Sequence, residues 1–241
     1  MSIQTEVLAV SRMLKPFKCA YRKVRVGSLG DGGYVLPDDL SNINSLLSIG
    51  IGSEVSFDWH FAQLGVPIFQ YDPTVEGPPV NHPNFQFHKI AWGAEDNEAT
   101  RTLAAMNQIH GFNQTHDAIL KFDTEGAEWD TLPHIHPDIL KSYRIIVCEL
   151  HGMTSIGNDQ FRKVVEKTLR VLTQSHTVIH LHANNCCGIS VVEGVPIPAV
   201  VELTLLRNDR SEFTPCTDPI PGPLDFPNMS ERPDLILNPY A

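Results

Sequence analysis

Short, nearly continuous apolar runs recur along the chain, separated by polar, turn-rich or amphipathic stretches. That alternation predicts an α/β sheet built with crossover connections. Seven runs read as strands, over residues 46–52 (LLSIGIG), 67–73 (PIFQYDP), 85–93 (FQFHKIAWG), 118–126 (AILKFDTEG), 143–152 (YRIIVCELHG), 176–185 (HTVIHLHANN) and 199–207 (AVVELTLLR). LLSIGI, RIIVCEL and VVELTLL are apolar almost throughout, as in strands covered on both faces. Seven such strands predict one sheet.

Two segments carry helical spacing. In SEVSFDWHFAQLG, over 53–65, Val55, Trp59 and Ala62 fall at i, i+4 and i+7, with Ser53 as N-cap and Gly65 as stop. Over 158–174, Phe161, Val164, Val165, Thr168 and Leu172 share one face, and Arg162, Lys163, Glu166, Lys167 and Arg170 lie elsewhere. Residues 208–241 hold Pro215, Pro219, Pro221, Pro223, Pro227 and Pro233, which predicts an extended strap over the sheet edge. The expected plan is one domain over 1–241: an N-terminal segment (1–45), the sheet core (46–207) and the strap (208–241).

Composition narrows the partners. The 241 residues are 42% hydrophobic and 19% charged, with a net charge of −10, as in an ordinary globular domain that needs neither disulfide nor structural metal to fold. The acidic balance argues against a nucleic-acid backbone and against an anionic membrane surface. Five cysteines without a CxxC spacing fit a reduced compartment, and the adjacent Cys186 and Cys187 read as two buried thiols. No apolar stretch is long enough to span a membrane, and the N-terminus lacks a signal-peptide pattern, so the expectation is a cytoplasmic protein. Self-association into a homo-oligomer is left open.

Candidate chemistry begins where the first strand ends. Ser48-Ile49-Gly50-Ile51-Gly52-Ser53 puts a GxG turn between a buried strand and a helix, where a ligand can approach the backbone. Asp72 closes the second strand twenty positions after Gly52, where a carboxylate can accept ribose hydroxyls. Together these predict a nucleoside-bearing cofactor. A dinucleotide fingerprint would place a third glycine where Val55 stands, and Glu54 would set a carboxylate beside phosphates. S-adenosylmethionine, which has no phosphate and carries a sulfonium and an ammonium, suits these surroundings better.

The fourth strand ends in Leu120-Lys121-Phe122-Asp123-Thr124-Glu125-Gly126-Ala127-Glu128-Trp129, with three carboxylates at the carboxyl edge of the sheet. This run resembles the DxEGxE motif of FkbM-like S-adenosylmethionine-dependent methyltransferases. Gly30-Asp31-Gly32-Gly33-Tyr34-Val35 resembles the GDGGYV element ahead of their cofactor loop. The likeness runs through Ile51, Tyr71-Asp72-Pro73, Glu149-Leu150-His151 and His182-Ala183-Asn184-Asn185, over about residues 25 to 207. It implies a Rossmann-like class I methyltransferase: a seven-stranded, mostly parallel sheet with an antiparallel last strand and helices on both faces. It also implies methyl transfer to a hydroxyl oxygen, in several members that of a sugar, a glycan or a glycosylated metabolite. A sequence departure follows Gly52, where Ser53-Glu54 replaces a further small-residue pattern.

A hydroxyl acceptor loses a proton as it attacks, so a base is expected. Asp123 and Glu125 follow the fourth strand, Glu149 and His151 the fifth, and His180, His182 and Asn184 alternate along the sixth. The expected catalytic set is Asp123, Glu125, Glu149, His151 and His182. Asp123, Glu149 and His182 are also candidate ligands for a magnesium or manganese ion. The expected cofactor set is Asp31, Gly33, Tyr34, Gly50, Gly52, Ser53, Asp72, Trp92 and Asp123, with Trp92 in the adenine region and Gly32-Gly33 as a hairpin bend or flap. His134 and His136 read as exposed turn residues. An NAD-dependent oxidoreductase, weakened by the missing glycine and the absence of a YxxxK pair, and a noncatalytic adenosine-cofactor-binding protein remain as alternatives.

Overall fold

A computed structural model describes residues 2–237. In chain order they form α1 (Ile3–Met13), β1 (Phe17–Lys18), β2 (Lys23–Val26), β3 (Tyr34–Pro37), β4 (Leu46–Ile49), α2 (Ser56–Gln63), β5 (Ile68–Tyr71) and β6 (Phe85–His88). There follow β7 (Ala91–Trp92), β8 (Thr100–Arg101), α3 (Leu103–Ile109), β9 (Ala118–Phe122), α4 (Glu128–Thr131), α5 (Pro137–Leu140) and β10 (Tyr143–Leu150). The chain continues through α6 (Asp159–Thr173), β11 (His176–Val192), β12 (Val195–Arg207) and β13 (Thr214–Pro215). The seven expected strands form one sheet in the order β11-β12-β10-β9-β4-β5-β6. Every pairing from β6 to β10 is parallel, and β12 runs antiparallel to both β10 and β11. The fold is a Rossmann-like α/β sheet with its antiparallel last strand.

Strand alternation sorts the apolar residues onto two faces. Leu46, Ile119, Ile145 and Val147 join Phe57, Phe61 and Ala62 of α2 and Val26, Tyr34 and Leu36 of the β2–β3 hairpin. Their sequence neighbours Leu47, Leu120, Ile146 and Cys148 join Val7 and Val10 of α1, Leu103 and Met106 of α3, and Val165, Leu169 and Leu172 of α6. Helices therefore cover both faces. No helix among the described residues is long and apolar enough to cross a membrane.

Several local expectations are corrected. The first helix begins at Ser56, and its N-cap is Val55 rather than Ser53; the Glu54 carboxylate instead accepts from the Ser56 amide at 2.9 Å. Its buried face is Phe57, Asp58, Phe61 and Ala62, whereas Trp59 is exposed. Tertiary contact decided this: Tyr34 packs edge-on against Phe57, and Asp58 accepts from Ser48 at 2.9 Å and Gln70 at 2.7 Å. In α6 the long side chain of Arg162 is buried, donating to the Ile156 and Gly157 carbonyls and pairing with Glu6 and Asp159. The third expected strand breaks into β6 and β7. The sixth and seventh are instead 17 and 13 residues long and form one extended hairpin. The 30s glycines close a true hairpin between β2 and β3. All five cysteines are free, but Cys186 is only half-buried and Cys187 is exposed, their sulfurs 2.9 Å apart. The proline-rich segment lies along β11: its Asp225 and Asp234 meet His180 and His182, and the Asn185 side chain bonds the 229–233 backbone.

Candidate active site

Between β4 and β9 the strand order reverses, and the loops leaving their carboxyl ends diverge around a cleft of about 420 Å³, the place where open α/β sheets bind ligands. One side is the glycine loop. Gly50 has φ +74°, and a Cβ there would stand 1.7 Å from the Asp123 carbonyl oxygen, so only glycine lets the two strand ends touch. Gly52, at φ +50°, faces open space. The loop is pinned by Asp72: one carboxylate oxygen accepts from the Ile51 and Gly52 amides at 3.0 and 2.9 Å, the other from the Thr74 amide and hydroxyl at 2.7 and 2.6 Å. Burial would raise the Asp72 pKa, but these donors hold it below the usual carboxylate range. Asp72 thus borders the cleft with its lone pairs taken. Glu54 lines the same wall with one buried, unpartnered oxygen.

Asp31, Gly32, Tyr34 and Ser53 also line the cleft; Gly33 does not, and a Cβ there would stand 2.0 Å from the Ser28 carbonyl oxygen. Trp92 lies at the cleft with its ring against Phe122 and its indole N–H without a partner. Lys121, which the sequence reading passed over, lines it too and donates to the Gly50 carbonyl at 2.9 Å. A lysine inside the apolar run AILKF was the available signal.

The other side is built by the ends of β9 and β10. Glu128 is fully buried and accepts from the Thr124 hydroxyl and the Gly126 and His151 amides at 2.7 to 2.9 Å. It also faces His151 Nδ1 at 3.1 Å, fixing the ring so that Nε2 looks into the cluster. There Nε2 stands 3.5 Å from Asp123, 3.6 Å from Glu125 and 3.9 Å from Glu149. Glu125 adopts φ +53°, a costly conformation outside glycine. The buried oxygen Oδ1 of Asp123 has no hydrogen-bond partner, and burial raises that carboxyl. Burial lowers His151, but Glu128, Asp123 and Glu149 outweigh it and carry the ring up to about 9. Asp123, Glu125 and His151 each offer a ligand atom, all within 4.8 Å of one another.

Glu149 is adjacent but committed elsewhere, accepting from Tyr34 at 2.9 Å and Asn184 at 3.3 Å; burial, then Glu202 and Asp123, push it up to about 8. His182 is not brought to the cluster. Its two nitrogens meet Glu202 at 2.9 Å and Asp234 at 3.0 Å, which overcome burial and raise it to about 10. Both its nitrogens are engaged, so of the candidates Asp123, Glu149 and His182 the structure does not bring His182 to the cluster, where Asp123, Glu125 and His151 meet instead. His134 and His136 are exposed, as expected; His136 caps α5.

No family model matches the chain, and no curated protein matches it. Among solved structures it is similar to one from Streptococcus mutans whose description proposes a SAM-dependent methyltransferase, with 15% identity and a TM-score of 0.42. The match covers 76% of this chain and 55% of the other, so this chain spans about half the length of that protein, and a likeness at this level says nothing of chemistry.

Proposed function

We propose that this chain is an S-adenosylmethionine-dependent O-methyltransferase acting on a hydroxyl of a sugar, glycan or glycosylated metabolite. One observation carries the reading: the cleft at the switch point is lined by five carboxylates, Asp31, Glu54, Asp72, Asp123 and Glu125, and by one lysine whose ammonium is held by Gly50. A pyrophosphate would find repulsion there, whereas a sulfonium with an ammonium finds the complementary charge. The residues suit that cofactor on two further counts: Gly52 leaves open space at the wall, and Trp92 offers an unused N–H. When bound, the cofactor supplies an electrophilic methyl group.

The chain's own residues then have to orient the acceptor and take its proton. His151 and His182 are both held as cations near neutral pH, so neither is the base in the metal-free protein. Asp123 is the candidate: it borders the cleft, its Oδ1 accepts no hydrogen bond, with His151 Nε2 3.5 Å away, and burial raises its proton affinity. Asp123, Glu125 and His151, once the His151 Nε2 gives up its proton, also suit a divalent cation, which would draw acceptor hydroxyls in and acidify one. The FkbM-like motif and the sugar acceptor rest on the resemblance of LKFDTEGAEWDTL.

The test is calorimetric titration with S-adenosylhomocysteine and, separately, NAD, each with and without magnesium or manganese. Micromolar binding of the first alone is expected, strengthened or reshaped by metal. Binding of NAD alone would overturn the reading in favour of an oxidoreductase, and binding of neither would leave a noncatalytic protein.

A further inference from the structure

A second cavity, of about 340 Å³, opens between the strap and the sheet, away from the glycine loop. Its walls are apolar over Val35, Leu181, Ile220 and Leu224, and Lys23 and His180 stand among them. Asp225 is anchored by the Gly222 amide at 2.7 Å and meets His180 Nε2 at 2.7 Å. A carboxylate only accepts, so Nε2 carries the proton and Nδ1 keeps its lone pair. The Lys23 ammonium, 3.3 Å from Nδ1, donates to it. Among the described residues that is its one hydrogen bond, and no carboxylate lies within 4 Å of it, although Asp225 and Asp218 act on it from further off. Two of its three N–H groups are therefore without an acceptor among the described residues, on a half-buried side chain whose pKa burial lowers. Lys18, also at the wall, is already paired with Asp218 at 2.7 Å.

We infer that this cavity is a binding site for a small monocarboxylate with an apolar body, its carboxylate on Lys23 and its body against Val35, Leu181, Ile220 and Leu224. A half-buried ammonium with N–H groups unused and no direct ion pair, beside apolar walls, is an arrangement that such a ligand completes. Asp225 beyond His180 and Asp218 at the wall already act on the Lys23 ammonium, so the site suits a single carboxylate and disfavours a dianion such as phosphate. The inference does not rest on the methyl-transfer reading. The ligand would join strap to core, since one wall comes from 216–224 and the opposite one from β2, β3 and β11.

The probe is hexanoate, titrated into the full chain by calorimetry and by saturation-transfer NMR, with inorganic phosphate in parallel. Hexanoate is expected to bind, to bind about 30-fold or more weakly to Lys23→Met, and to keep its affinity in saturating S-adenosylhomocysteine. Leu224→Trp, which fills the cavity and keeps the ammonium, should abolish binding as well. Four results would overturn the inference: no binding at millimolar hexanoate, undiminished binding by folded Lys23→Met or by Leu224→Trp, displacement by S-adenosylhomocysteine, or phosphate binding as tightly as hexanoate.

Discussion

Gly50 and Gly52 stand two positions apart in one loop, and each is glycine for a different reason. At Gly50 a methyl group would collide with the backbone of Asp123, and φ is positive. Gly50→Ala should therefore cost about 3 kcal/mol or more of stability, read from urea unfolding. At Gly52 a methyl group would meet no protein atom. Gly52→Ala should cost only about 1 kcal/mol while weakening S-adenosylhomocysteine by about tenfold; unchanged affinity would remove the loop from the cofactor wall. Asp123 separates function from folding in the same way. Its Oδ1 makes no hydrogen bond, so Asp123→Ala should keep the thermal midpoint while methyl transfer to a responsive acceptor falls about 100-fold or more. Near-normal turnover would take Asp123 out of the catalytic role. Asp72 and Glu128 are different again. Each accepts donors from loop atoms at both oxygens, so each holds a loop, and Asp72 can receive a ribose hydroxyl only if Thr74 gives up its place.

At the level of elements, what could be read from sequence was what is locally repeated. The core strands announced themselves because each is a run of branched residues covered on both sides, and α6 did so through its stripe of Val165, Thr168 and Leu172. The face of α2 was not legible, because SEVSFDWHFAQLG offers two stripes, one through Trp59 and one through Phe57 and Phe61. Tyr34 from the β2–β3 hairpin selects the second. Arg162 was misplaced for the same reason, since its carbonyl partners lie in the turn preceding α6 and Glu6 lies in α1. Arg162→Leu should thus lose about 3 kcal/mol, against less than about 0.5 kcal/mol for Arg170→Leu, whose exposed pair with Glu166 is worth little; equal losses in chemical denaturation would refute the buried network. The strap carries a pH signature. His182, between Glu202 of β12 and Asp234, with Asp225 nearby, is raised to about 10. Its contribution is complete below the ordinary histidine value and is lost as pH rises from about 6.5 to about 10. The wild-type urea midpoint should fall across that range, and that of His182→Gln should fall less.

For the whole molecule, the site follows from topology. Parallel strands that leave the sheet on opposite sides of β4 and β9 open a cleft at their carboxyl ends, and the motifs at residues 50–53, 72 and 123–125 all terminate strands there. This is why the glycine loop and the β9 carboxylates were legible from spacing alone. His182 was not, because its partners Glu202 and Asp234 lie 20 and 52 positions along the chain and only the folded strap brings them in. The contact between Gly50 and the Asp123 carbonyl has a consequence for how such a protein diversifies. The wall that would hold the methyl donor and the strand end that would hold the base share a backbone surface with no room between them, and the Asp123 amide is bonded to Ile49 as well. Neither can drift without dragging the other. If the chain transfers methyl groups as proposed, natural variation in the acceptor should therefore accumulate in the strap and the β11–β12 hairpin, while the pair of loops at the switch point ages as a single unit.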